Sequence, residues 1–232
     1  MSYVFAVPPQ VVVPVVGTTD LFPVHRIYCV GRNYVEHAQE MGFSGREPPC
    51  FFAKPADAVA PVAAGAVGRV PFPDETEDFQ HEVELVVAIG RRGRRIAVAE
   101  AAAYVWGYAV GVDLTRRDLQ SRMKKLGLPW EVGKSFDASA PVSPVRPAVG
   151  GEALASGRIW LGVNGAARQD SDLSKLIWNV AEIIAHLSRY FELVPGDLVF
   201  TGTPAGVAAM QPGDRVDAGI DGVGTLSFVL ER

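Results

Sequence analysis

Apolar positions along the chain fall into short runs that seldom keep a helical period. Val24–Arg32, Cys50–Ala53, Glu82–Ile89, Trp106–Asp113, Arg158–Val163, Leu198–Thr201, Asp214–Ile220 and Gly224–Leu230 each read as a strand. Asn164-Gly165 and Asp221-Gly222 supply hairpin turns between neighbouring runs. Helices are fewer. Asn33–Met41 and Ala97–Tyr104 have helical composition, Val180–Phe191 is clearly amphipathic, and Thr115–Lys125 combines a Thr115/Asp118 start like a capping box with a basic last turn. Residues 137–157, rich in Pro, Ala, Ser and Gly, read as a connector. Residues 1–23, with Pro8, Pro9 and Pro14, read as an extended arm or edge strand, leaving 24–232 as one domain. Strands outnumber scattered helices, which predicts an α+β fold with a mixed, β-dominated core.

One run breaks its own pattern. Val86-Val87-Ala88-Ile89 shows no alternation and so predicts burial on both faces, yet Glu82 and Glu84 precede it on one face. Their backbone positions lie a little under about 7 Å apart. Like charges there repel, and each costs several kcal/mol to desolvate, so a positive group between them is expected. Asp113 ends a second apolar run. Three carboxylates without a Cys or His cluster favour Mg2+, Mn2+ or Ca2+ over zinc. The plainer alternative is a solvated sheet face, with Asp113 only capping the helix that follows.

The 232 residues are 48% hydrophobic and 21% charged, enough for a core and too apolar for a disordered chain. A net charge of −4 offers no bulk attraction to nucleic acid or anionic lipid. The Arg91-Arg92-Gly93-Arg94-Arg95 cluster reads as a polar turn. Cys29 and Cys50 are too few for a disulfide framework, and a reducing cytoplasm is the expected setting. The uncharged stretch 1–19 lacks a basic n-region, and no run is long enough for a membrane span.

Further polar residues stand in apolar or glycine-rich settings. Arg117 and Gln120 follow Asp113 at i+4 and i+7, so all three can line one side of a helix start. Lys134 sits in Gly133-Lys-Ser-Phe136, and Thr203 in the turn Thr201-Gly-Thr-Pro204. Each has a dull explanation alone: an ion pair, a surface lysine, a tight turn. In order, however, Val30-Gly-Arg-Asn-Tyr34 with His37, Phe52-Ala-Lys-Pro55, His81-Glu-Val-Glu84, Asp113 with Arg117 and Gln120, Gly133-Lys-Ser135 and Thr201-Gly-Thr-Pro204 resemble the catalytic domain of the fumarylacetoacetate hydrolase family. Within it, the chain is similar to the short acylpyruvate hydrolases, including bacterial fumarylpyruvate hydrolases.

The resemblance implies a β-rich mixed-sheet roll with flanking helices, a homodimer, and Mg2+ or Mn2+ (Ca2+ as a further option) held by Glu82, Glu84 and Asp113. It implies a lid bearing a His37/Glu40 dyad that orients the attacking water, with Gly31 and Gly42 as hinges. The expected substrate is a small 2-oxo acid, specifically a 2,4-dioxo acid such as fumarylpyruvate, split by water at C4 into pyruvate and a carboxylic acid. Lys134 and Gln120, with Arg117, would hold the C4 oxyanion. Thr203 would bind the pyruvyl carboxylate, and Arg32, Lys54 and Arg117 are the cations available for a second carboxylate. His25 and His186 match nothing in the family and read as structural, and His81 as a neighbour of the metal ligands. The competing readings are an oxaloacetate decarboxylase, an isomerase of 2-oxo-diene acids, and a catalytically silent, metal-stabilised dimer.

Overall fold

The structure, a computed structural model, describes residues 2–35 and 46–232. Two sheets form its body. Seven of the eight strands in the larger run in the order Cys50–Lys54, Ile27–Gly31, Leu198–Phe200, Val83–Ile89, Val105–Val112, Ala140–Val142 and Val59–Pro61, and Arg146–Pro147 also pairs with Val105–Val112. Leu198–Phe200 lies parallel to Ile27–Gly31 and antiparallel to Val83–Ile89, so the sheet is mixed. The smaller sheet orders Ala166–Asp172, Arg158–Val163, Arg215–Ile220, Gly224–Glu231 and Gly68–Pro71. Both expected hairpin turns join strands there, and Asn164 and Gly165 have φ of 53° and 79°, as a type I′ turn requires.

All seven residues of Val83–Ile89 are buried. Leu85, Val87 and Ile89 join Tyr108 and Val110 in a core shared with Ile159, Leu161 and Phe228 of the smaller sheet. Val86 and Ala88 point the other way, into a cluster with Ile27, Cys29, Leu198 and Phe200. Burying each large aliphatic side chain contributes about 1.5–3 kcal/mol. The strand is therefore anchored well enough to carry carboxylates at its entrance, where the parity of Val86 and Ala88 extends to Glu84 and Glu82.

Several local expectations change. The helix read over Thr115–Lys125 spans Arg117–Leu126, with no side-chain cap. Thr115-Arg116 instead pairs with Phe79-Gln80, and Asp118 accepts hydrogen bonds from Thr76 Oγ1 (2.7 Å) and the Glu77 amide (2.9 Å). Tertiary partners have taken both groups of the expected capping box. Val98–Tyr104 is a 3-10 helix, and the connector 137–157 contains the two short strands at Ala140–Val142 and Arg146–Pro147. Val12–Pro14 and Leu21–Pro23 form their own two-stranded unit, with Val13 and Phe22 buried. Cys29 and Cys50 are not disulfide-bonded. Among the described residues, no helix is long and apolar enough to cross a membrane.

Candidate active site

The strand Val83–Ile89 pairs antiparallel with Val105–Val112, and Val83 stands opposite Val112. That register sets the two residues just outside the ladder, Glu82 and Asp113, beside one another, and the Asp113 amide donates to the Glu82 carbonyl at 2.8 Å. Glu84 follows on the same face as Glu82. Carboxylate oxygens of Glu82, Glu84 and Asp113 all lie within 4.8 Å of one another, and all three residues are buried. Hard oxygen donors at this spacing suit Mg2+, Mn2+ or Ca2+.

Cations surround the triad. Lys134 Nζ lies 2.7 Å from each of Glu82 Oε2, Asp113 Oδ2 and Thr115 Oγ1, which occupies all three of its donors. Its short helix, Glu131–Lys134, reaches the triad by packing closely on Arg117–Leu126: a Cβ on Gly133 would come within 2.8 Å of the Gln120 amide nitrogen. Arg117 bonds Glu82 through Nη2, Gln80 Oε1 through Nε at 2.8 Å and Gln120 Oε1 through Nη1 at 2.6 Å. Gln120 thus spends its oxygen on Arg117, while its Nε2 has no hydrogen-bond acceptor among the described residues.

Lys54 departs from expectation. Its Nζ is 2.9 Å from Asp113 Oδ1, donates to Ser139 Oγ at 3.0 Å and the Leu114 carbonyl at 3.4 Å, and bonds the Lys134 carbonyl. It is 3% exposed and does not line the cavity over the triad. Lys54 therefore serves Asp113 in place of a second substrate carboxylate.

The turn Thr201–Pro204 closes the far side. Gly202 has φ of 98°, a Cβ there would come within 2.7 Å of Asn33 Cβ, and its amide donates to Glu84 Oε2 at 2.7 Å. Asn33 secures the approach by donating to the carbonyls of Thr201 (2.7 Å) and Trp178 (2.9 Å). Arg32, next in sequence, holds φ of 61°, rarely adopted by a residue with a Cβ. Its guanidinium carbon lies 5.9 Å from the Trp130 ring centroid. Arg32, Trp130, Arg117, Gln120, Lys134 and Thr203 line one narrow cavity with the triad. A larger cavity, about 660 Å³, lies elsewhere, against the helix Val180–Tyr190, and is lined by none of the three carboxylates.

Burial drives the Glu84 carboxyl well above the usual carboxylate range, and Asp113 and Glu82 push it further. Burial pulls the Lys134 ammonium down, but Asp113 and Glu82 outweigh it and hold the group above its ordinary value. The His81 imidazole is lowered, mainly by burial. His25 pairs with Asp197 at 2.8 Å and His186 packs edge-on against Trp178, both away from the triad. The expected dyad, His37 and Glu40, and the expected hinge Gly42 lie outside the described residues. Gly31 has no positive φ, and a Cβ there would make ordinary contacts, so nothing local demands glycine.

Gln169, Gln80, Thr115 and Ser139 were not among the expected site residues. Gln80 and Thr115 flank Glu82 and Asp113 in sequence, whereas Ser139 and Gln169 arrive by tertiary pairing: Gln169 accepts from the Val83 amide at 3.1 Å across 86 residues of sequence. In the row Ala166–Asp172 it is the single buried position on a polar strand, which no periodicity would flag.

Residues 26–231 match the family described as fumarylacetoacetate (FAA) hydrolase, C-terminal. The chain belongs to that family. Its fold is very similar to that of a fumarylpyruvate hydrolase from Pseudomonas aeruginosa solved with Mn2+ and pyruvate: TM-score 0.97, 52% identity, 99% of each chain covered. A Ralstonia fumarylpyruvate hydrolase is 43% identical over 73% of this chain and 86% of its own length. The rat mitochondrial oxaloacetate tautomerase FAHD1 is also 43% identical, over 89% of this chain and 91% of its own.

Proposed function

We propose that this chain is a divalent-metal-dependent acylpyruvate hydrolase that adds water to C4 of a 2,4-dioxo acid and releases pyruvate and a carboxylic acid, with fumarylpyruvate as its substrate. The observation that carries the reading is the convergence of Glu82, Glu84 and Asp113 within 4.8 Å in a buried site, in a chain closely similar to a hydrolase that holds Mn2+ and pyruvate. Charge balance supports it. Three carboxylates against Lys134, Lys54 and Arg117 leave the site near neutral, so a divalent ion gives it the surplus that a dianionic substrate requires.

Glu82, Glu84 and Asp113 would hold a Mg2+ or Mn2+ ion, which would supply fixed positive charge at the pyruvyl end of the substrate, where enolate charge grows as C3–C4 breaks. The Thr203 hydroxyl and the Thr203 backbone amide hold the carboxylate end; the neighbouring amides of Thr201 and Gly202 are spent on the Leu85 carbonyl and on Glu84. His37, oriented by Glu40, takes a proton from the water that attacks C4. The open Gln120 Nε2–H donates to the oxygen of the tetrahedral C4 adduct. Lys134 acts with it by keeping Glu82 and Asp113 ionised and in place. As the adduct collapses, the C3–C4 electron pair moves into the enolate of pyruvate, C3 takes up a proton, and the acyl group leaves as its acid. Arg32, beside Trp130 on the cavity wall, is placed for the distal carboxylate of a fumaryl group.

The second reading is keto–enol interconversion of oxaloacetate, favoured by the similarity to the rat tautomerase. It uses the same enolate stabilisation and breaks no carbon–carbon bond. Comparing kcat/KM for fumarylpyruvate, acetopyruvate and oxaloacetate with Mg2+ and with Mn2+ separates the two. The proposal expects fumarylpyruvate to lead, and a preference for oxaloacetate without pyruvate release would replace it with the tautomerase. A homodimer belongs to the same proposal, tested by mass in solution.

A further inference from the structure

We propose that Gln169 is a positioning residue that fixes the Thr203 hydroxyl as a hydrogen-bond donor toward the substrate carboxylate. The inference rests on the reading that Thr203 binds that carboxylate. Gln169 is 1% exposed and belongs to the smaller sheet, yet it bonds four groups around the triad. Its Oε1 accepts from the Val83 amide at 3.1 Å and meets His81 Nδ1 at 2.9 Å. Its Nε2 donates to Thr203 Oγ1 and to the Pro204 carbonyl, both at 2.8 Å.

These partners leave one orientation. A backbone amide can only donate and a carbonyl can only accept, so the Gln169 oxygen must face Val83 and its nitrogen Pro204. Thr203 Oγ1 is then an acceptor toward Gln169, and its own proton must point elsewhere. No described residue accepts it, and Thr203 lines the cavity that holds the carboxylate triad. The hydroxyl is thereby biased before substrate arrives: one lone pair is spent on Gln169, and its proton is left for an acceptor in the cavity. The same argument makes His81 Nδ1 a donor to Gln169, which locks the amide from its other end.

The test is a double-mutant cycle, Gln169→Met and Thr203→Val singly and together, read as the equilibrium Kd of pyruvate and of oxalate in the presence of Mn2+. Mn2+ affinity and Tm are measured on the same samples. Losing one oriented bond to a carboxylate weakens pyruvate by about 10- to 100-fold. Gln169→Met is expected to do this with Mn2+ affinity unchanged and to add nothing in the Thr203→Val background. Gln169→Glu, whose carboxylate would accept the Thr203 proton and turn it from the cavity, is expected to weaken pyruvate at least as much, and it stands in for the methionine variant should that one not fold. KM should rise with kcat nearly unchanged, since the carboxylate contact is the same before and during bond cleavage. Equal weakening with and without Thr203, or no weakening at all, overturns the role of Gln169. Failure of the unsubstituted protein to bind either anion overturns the parent reading instead.

Discussion

Glu84→Gln gives the metal site a stability signature that needs no substrate. Glutamine keeps the shape and can still accept the Gly202 amide, which donates to Glu84 Oε2 at 2.7 Å. What disappears is one negative charge among three carboxylates within 4.8 Å. At that separation and an effective dielectric of about 20, each like-charge pair costs about 3.5 kcal/mol. Lys134 lies 2.7 Å from Glu82 and Asp113, and attracts Glu84 as well, so it offsets much of this. A net gain of about 1–2 kcal/mol is expected for the metal-free variant, or roughly 2–8 °C in Tm for a chain of this size. With Mn2+ at about 100 times its Kd, binding adds about 2.7 kcal/mol to the unsubstituted protein, and the variant forfeits most of it. Differential scanning calorimetry should therefore show a crossing: Glu84→Gln melts higher in EDTA and lower in Mn2+. The pH dependence has a definite sign. A carboxyl whose folded pKa is raised contributes stability below its unfolded value, and loses that contribution as pH climbs toward the folded one. The metal-free unsubstituted protein should lose this increment above about pH 4.3, and Glu84→Gln should lack that slope. A variant less stable in EDTA with an undiminished Mn2+ shift would show that Glu84 neither repels its neighbours nor binds the ion.

Lys134→Met should lower acylpyruvate hydrolysis by about 10- to 100-fold, the usual loss when a group that holds metal ligands in place is removed. Measured Mn2+ affinity should change with it, because Glu82 and Asp113 lose a shared partner. His37→Ala should reduce kcat by about 10²–10⁴, with Mn2+ affinity by titration calorimetry unaltered, and wild-type kcat would remove His37 as the base. Gly202→Ala must hold a positive φ and push Asn33 aside. A loss of about 2–3 kcal/mol follows, read as a fall in Tm of about 5–10 °C.

The unbroken apolar run after Glu84 announced a strand buried on both faces, and the Asn164-Gly165 and Asp221-Gly222 turns announced their hairpins, because such signals depend only on near neighbours. The capping reading of Thr115 and Asp118 failed for the opposite reason: Lys134, Thr76 and the Glu77 amide come from elsewhere in the chain and outcompete the local helix start. Lys54 could be named from its block, but not assigned to Asp113, since that depends on how Cys50–Lys54 lies in the sheet. Gln169 was invisible altogether. It sits among exposed polar neighbours, and its burial is decided by a second sheet folding over the first.

Hydrolysis of the C3–C4 bond leaves an isotope mark that neither tautomerisation nor decarboxylation can leave. Fumarylpyruvate is incubated with the Mn2+-loaded protein in H2(18O), and the products are read by mass spectrometry. Attack of water at C4 places one 18O in the carboxylate of the released fumarate, formed at the same rate as pyruvate, and Glu84→Gln should abolish both. Fumarylpyruvate recovered uncleaved, with neither fumarate nor pyruvate formed, would overturn it.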